Sequence, residues 1–154
     1  MKISLDLRYI AGVIDSDGSI CISKYDNHGY VSYRPMVQLT WKNIKECRDV
    51  IESLKEVYGG CVFIEKSKRK LGGNNTYLAY KVDTRKAEKL LDDIKSSLWI
   101  KKEQAVYAIR VQQIKEEYNW TRNPILIKEK NKKLDYLWKE VKKMNAKVID
   151  GGDM

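Results

Sequence analysis

Two carboxylates stand two residues apart in the run Asp15-Ser16-Asp17-Gly18, where a hydrophobic segment gives way to glycine. The segment before it, Leu5 to Ile14, carries apolar side chains nearly all round a helical projection, which predicts a helix buried on most sides. Gly18 is its expected stop. Acidic groups at a helix C-terminus oppose the negative end of the helix dipole, so stability alone does not favour them there. A divalent cation would offset that cost, because hard cations take carboxylate oxygens. Taken alone, the four residues read more readily as a polar turn closing a helix.

Few other chemistries are open to this chain. Its 154 residues include one histidine, His28, which disfavours histidine-based triads, histidine-rich metal sites and histidine-dependent nuclease motifs. Cys21, Cys47 and Cys61 form no CxxC pair and are odd in number, which reads as reduced thiols in an intracellular protein. No apolar run nears the roughly 20 residues of a membrane helix, and no secretory leader or membrane partner is expected. Thirty basic residues against 21 acidic give a net charge of +9 and an anionic partner as the expectation. The excess is concentrated, with +3 over residues 61–80 and +4 over 119–154.

The elements that must position Asp15 and Asp17 follow from periodicity. Alternation predicts strands over 19–25, 31–41, 61–65 and 76–82, with Asp26-Asn27-His28-Gly29 as a turn between the first two. Pro35 inside the second strand argues for an edge position or a bulge. Helical spacing covers 43–58, 84–98, about 102–118 and about 125–144. The order gives an α+β class: an αββαββα unit whose antiparallel four-stranded sheet carries its helices on one face. Residues 1–118 form the core of one domain, and 119–154 a basic helical extension of it.

The stretch Ile10-Ala11-Gly12-Val13-Ile14-Asp15-Ser16-Asp17-Gly18 resembles the LAGLIDADG motif of homing endonucleases at six of nine positions, departing at Ile10, Val13 and Ser16. The element order is similar to that family's, and Leu98-Trp99-Ile100-Lys101-Lys102-Glu103-Gln104-Ala105 looks like its lysine-bearing segment. The resemblance covers residues 5 to about 118. It implies a site-specific, metal-dependent DNA endonuclease, with Mg2+ or another divalent metal as cofactor. The same fold without cleavage, as an intron maturase or DNA-binding regulator, is the competing implication. By position, Asp17 would bind the metal with the carbonyl of Ser16, and Lys101 would steady charge at the scissile phosphate. The family's water-orienting glutamine is absent after the second strand, where Thr40-Trp41-Lys42-Asn43 leaves Asn43 as the candidate.

Only one motif is present, so the resemblance implies a homodimer on double-stranded DNA, with RNA left open as a second nucleic acid. The Val148 to Asp153 run echoes the motif but has no strand after it. The expected dimer contacts are Tyr9, Ala11, Gly12 and Val13. Strand alternation assigns a DNA-facing set of Ser19, Cys21, Ser23, Tyr25, Arg34, Met36, Gln38, Thr40, Phe63, Glu65, Tyr77 and Lys81. The fourth strand is ambiguous, and its two members hold only if Leu78, Tyr80 and Val82 turn inward. Lys66, Lys68, Arg69 and Lys70 would hold phosphates. Eight strand residues span about 26 Å, or about eight base-pair steps per half-site, so the implied target is long and pseudo-palindromic.

Overall fold

The computed structural model describes residues 4–66 and 76–146. Its elements run α1 (Leu7–Asp17), β1 (Gly18–Asn27), β2 (Tyr30–Lys42), α2 (Lys45–Tyr58), β3 (Cys61–Lys66), β4 (Thr76–Asp83), α3 (Thr84–Ile94), a 3-10 turn (Lys95–Ser97), α4 (Lys102–Glu117) and α5 (Pro124–Ala146). The four strands form one antiparallel sheet in the order β1-β2-β4-β3. Lys68, Arg69, Lys70 and the Val148–Asp153 echo lie outside the described residues.

Local chemistry sets the boundaries. Asp6 caps α1, its carboxylate accepting from the backbone N–H of Arg8 at 2.8 Å. Gly18 ends the helix with φ −85° and ψ 170°, so it is extended rather than left-handed. Glycine is needed there for space, because a Cβ would lie 2.8 Å from the Cα of Ile14. His28 and Gly29 both have positive φ, 53° and 87°, which suits the two-residue turn joining β1 to β2. Asp26 closes that turn by accepting from Gly29 N–H at 3.0 Å. Pro35 pairs across from Ile22 on β1, while the β4 ladder on β2's other side begins only at Met36. Proline thus occupies the part of a central strand that behaves as an edge.

The main core joins the inner sheet face to α1, α2, α3 and α4 through Ile10, Ile14, Ile20, Val37, Leu39, Ile51, Leu54, Tyr80, Leu90 and Leu91. A second cluster ties the β1–β2 hairpin to α4 and α5 through Ile22, Tyr33, Val111, Ile114, Leu134, Leu137 and Val141. α5 begins with Pro124, its Asn123 side chain accepting from Ile125 N–H at 3.0 Å. Near its end the Asn145 amide donates to the Ile20 carbonyl at 2.9 Å, where β1 is the outer strand of the sheet. Covering an outer strand this way blocks pairing with other chains.

Within the chain itself α1 is only half covered. Ile10, Ala11, Val13 and Ile14 are buried, but Leu7, Arg8, Tyr9, Gly12 and Ser16 are exposed. The helix is therefore buried along one side and open along the other. Its apolar excess is not all spent in the chain's own core.

Candidate active site and nucleic-acid face

Each acid of the motif has different neighbours. The Asp15 carboxylate turns onto the segment before α4, accepting from Trp99 N–H at 2.7 Å and Lys101 N–H at 2.9 Å. Those bonds make it a fastening between α1 and the start of α4. Asp17 is exposed at the end of α1, and one of its oxygens accepts from the Trp41 indole N–H at 2.9 Å.

Lys101 joins them. Its ammonium donates to the carbonyls of Ile14 at 2.9 Å and Asp15 at 2.6 Å. Both carbonyls belong to the last helical turn, and that of Ile14 also accepts from the Gly18 N–H. A cation there also complements the dipole that the two acids oppose. Burial pushes the Lys101 ammonium below its ordinary pKa, and the charges of Asp15 and Asp17 work against that shift. The ammonium thus lies within the field of both carboxylates. Ser16 sits in the same turn, its hydroxyl donating to the Val13 carbonyl at 3.2 Å.

Asn43 is differently employed. Its amide donates to the Thr76 hydroxyl and accepts from Arg48, both at 2.9 Å. Its backbone N–H also bonds the Thr76 carbonyl at 3.0 Å. The side chain staples the end of β2 to the start of β4. Sequence reasoning missed Trp41, which takes a place beside Asp17, and Cys47. Burial raises the Cys47 thiol, and the charges of Glu46 and then Asp17 add to it. The Trp41 contact depends on long-range register, and no local signal marks it.

The sheet register assembles the predicted outer face. Ser19 pairs with Gln38, Cys21 with Met36, and Ser23 with Arg34. Gln38 continues to Lys81 on β4, and Lys81 to Cys61 on β3. Thr40, Ala79 and Phe63 form another row, and Glu65 pairs with Tyr77. Leu78, Tyr80 and Val82 are buried, which resolves β4: Tyr77 and Lys81 belong to the outer face. Arg34 stacks on Tyr25 with its guanidinium carbon 5.0 Å from the ring centroid, and the Lys81 ammonium lies 5.7 Å from that of Phe63. Tyr25, Met36, Cys61, Phe63, Lys81 and Lys86 line a groove of about 410 Å³ on this side. Lys66 is exposed at the end of β3.

Of the four expected dimer contacts, Ala11 and Val13 are 0% and 7% exposed, packed within the chain's own core. Tyr9 and Gly12 remain open, and a Cβ added at Gly12 would meet nothing within 4 Å. Beside them Trp99 is 90% exposed and Ile100 73%.

No family model and no curated protein matches the chain. Solved structures do. I-CvuI, a homing endonuclease captured in complex with its target in the presence of calcium, superposes with a TM-score of 0.60 at 17% identity, covering 92% of this chain and 96% of its own. I-SmaMI, bound to an uncleaved DNA target with calcium ions, gives 0.62 at 23% identity over 91% of this chain. This chain spans 46% of I-SmaMI, less than half its length. The homing endonuclease I-TnaI gives 0.59 at 14% identity, covering 93% and 97%. Matched to these three over nine-tenths of its length, with an αββαββ core that carries Asp17 at the end of its first helix, the chain has the fold of the LAGLIDADG homing endonucleases.

Proposed function

We propose that this protein is a homing-type DNA endonuclease that acts as a homodimer and makes metal-dependent double-strand breaks in a long, pseudo-palindromic site. The observation that carries this reading is the end of α1. There an exposed carboxylate, Asp17, and a cation, Lys101, meet at the end of the sheet face where the Ser19–Gln38 row begins.

The donor set suits a hard dication. Among the described residues no three acidic, histidine or cysteine side chains cluster into a metal cage. Magnesium does not need one, since it is commonly held by one or two carboxylates with phosphate oxygens and water completing its shell. Asp17 would supply the carboxylate, and Ser16 the next carbonyl after the two that Lys101 takes. A dication there supplies an activated water and neutralises charge on the phosphate. The chain's own residues do the rest. Trp41 fixes one Asp17 oxygen, and Asp15 locks the segment that carries Lys101. Lys101 keeps a positive charge at a helix end that would otherwise repel the DNA backbone.

A homodimer fits the open side of α1, where Tyr9, Gly12, Trp99 and Ile100 present an unpartnered surface. It would bring two Asp17 carboxylates together, one for each strand to be cut. That one chain is less than half of I-SmaMI supports the same assembly. The outer face of the sheet would read bases, with Lys66 and the basic residues that follow it holding phosphates.

One observation favours the non-cleaving alternative. Asn43 is spent on Thr76 and Arg48, so the segment after β2 offers no side-chain amide for the water network. Asp17→Asn decides between the readings. On a target selected from a randomised duplex library, wild-type protein should cut with magnesium, and the variant should bind but not cut. A wild-type protein that binds a specific site without cutting it would establish the module instead.

A further inference from the structure

The β1–β2 half of the outer face is built as parallel rows. Ser19–Gln38 is nearest the Asp17 end, Cys21–Met36 comes next, then Ser23–Arg34, then Tyr25–Ser32. Same-face neighbours along a strand are two residues apart, about 6.6 Å, which is close to two base-pair steps of about 3.4 Å. The rows therefore sample a half-site at intervals of about two base pairs, counted outward from the cleavage centre.

Their chemistry differs. Gln38 offers an amide, which pairs two-pronged with adenine. Cys21 and Met36 offer soft apolar surface with no strong donor, suited to a thymine methyl. Arg34 offers a planar fork of five donors, which matches the O6 and N7 of guanine.

Arg34 is also the member whose geometry is set before DNA arrives. It stacks on the ring of Tyr25, two residues along β1 from its own partner Ser23, within reach of a long side chain across a strand pair. Tyr25 is itself 51% exposed, so the pair stands out from the face. Arg34 forms no ion pair among the described residues, which leaves its donor edge uncommitted. A free arginine loses about 2 kcal/mol of rotamer freedom when fixed, and stacking removes part of that loss in advance. A group that is both two-pronged and pre-aimed contributes discrimination, whereas a freely swinging cation contributes mainly phosphate affinity.

We infer that Arg34, held by Tyr25, specifies a guanine in the outer part of each half-site, about four base pairs outside the position facing Gln38. This rests on the DNA-binding reading above.

The test is selection of bound duplexes from a library randomised over about 24 base pairs, with calcium in place of magnesium, followed by affinity measurements on the winning site and its single-base variants. Wild-type protein should enrich a site with a guanine in each half, and replacing that guanine should weaken binding on the order of 10–100-fold. Arg34→Gln should reduce that penalty to within about threefold while the other preferred positions persist. Tyr25→Leu should give an intermediate penalty, because the fork remains but is no longer aimed. Thermal melting checks that both variants, altered at exposed positions, remain folded. A guanine preference that survives Arg34→Gln overturns the inference, as does an Arg34→Gln loss that is equal for all sequences, which would make Arg34 a phosphate contact. If wild-type protein enriches no site at all, the DNA-binding reading fails first and this inference falls with it.

Discussion

Replacing Asp15 with alanine should damage the fold and spare the chemistry, the reverse of what Asp17→Asn should do. The Asp15 carboxylate accepts two backbone N–H groups, from Trp99 and Lys101, 84 and 86 residues away along the chain. Hydrogen bonds to a charged group contribute about 1.5–3 kcal/mol each, and the exposure of Trp99 argues for the lower end. Truncation also removes a negative charge from the negative end of α1, which returns about 0.3–1 kcal/mol. The bonds outweigh the dipole, and the net loss is about 2–3 kcal/mol. In a chain of this size each kcal/mol lowers Tm by about 2–4 °C, so Asp15→Ala should melt about 4–12 °C below wild type. Asp15→Asn keeps one acceptor oxygen and should lose about half as much.

Asp17→Asn should leave Tm nearly unchanged, since an amide oxygen still accepts from Trp41. Cleavage should nevertheless fall on the order of a hundredfold or more, the cost of several kcal/mol of metal-borne charge stabilisation. Both variants are to be assayed with magnesium well below either melting temperature. Unchanged melting for Asp15→Ala, or a cleavage loss in folded Asp15→Asn equal to that of Asp17→Asn, would refute this division of labour.

Gly12→Leu should leave the protomer's melting unchanged or higher, because a side chain there meets open space and glycine is a poor helix former. It should nonetheless weaken dimerisation, seen by sedimentation at micromolar concentration, and abolish double-strand cutting. A monomeric variant that still cuts both strands would rule out the dimer. Asp135 accepts from Lys139 at 2.8 Å, Lys24 at 2.7 Å and the Tyr33 hydroxyl at 3.0 Å, and those donors hold its carboxyl well below the usual carboxylate range. A depressed acid stabilises the fold above its unfolded pKa, about 3.9, and loses that effect as pH falls. The stability gap between wild type and Asp135→Asn should be constant from about pH 5 to 8 and close below about pH 4; denaturant titrations that show no such closing would reassign the shift. Neutralising Lys68, Arg69 and Lys70 together should flatten the fall of log affinity with log salt, and an unchanged slope would place them away from phosphates.

What the sequence made legible is what depends on near neighbours. Alternation marked four strands, and 3.6-residue spacing marked the helices to within a few residues, because side chains two or four positions apart share a face whatever the rest of the chain does. Which face of β4 turns outward resisted that reading for a physical reason. Leu78, Ala79 and Tyr80 are all fully or nearly buried, so no alternation survives in the pattern. Ala79 is covered on the outer face by its row, between Thr40 and Phe63, and only the pairing with both neighbouring strands shows this.

The site behaves likewise. The motif delivers Asp15 and Asp17 to a helix end within a few residues, yet what distinguishes them comes from far along the chain. The pairing of Gly18 with Leu39 carries β2 three residues past the start of β1, and the second of them brings the Trp41 indole to Asp17. The segment after α3 returns to α1 and gives Asp15 its two backbone donors and the helix end its ammonium. Loss of both long-range partners would leave the motif's sequence intact and its two carboxylates alike. The roles of the two acids are therefore properties of sheet register and of the α3–α4 connection, not of the nine residues that make the motif recognisable.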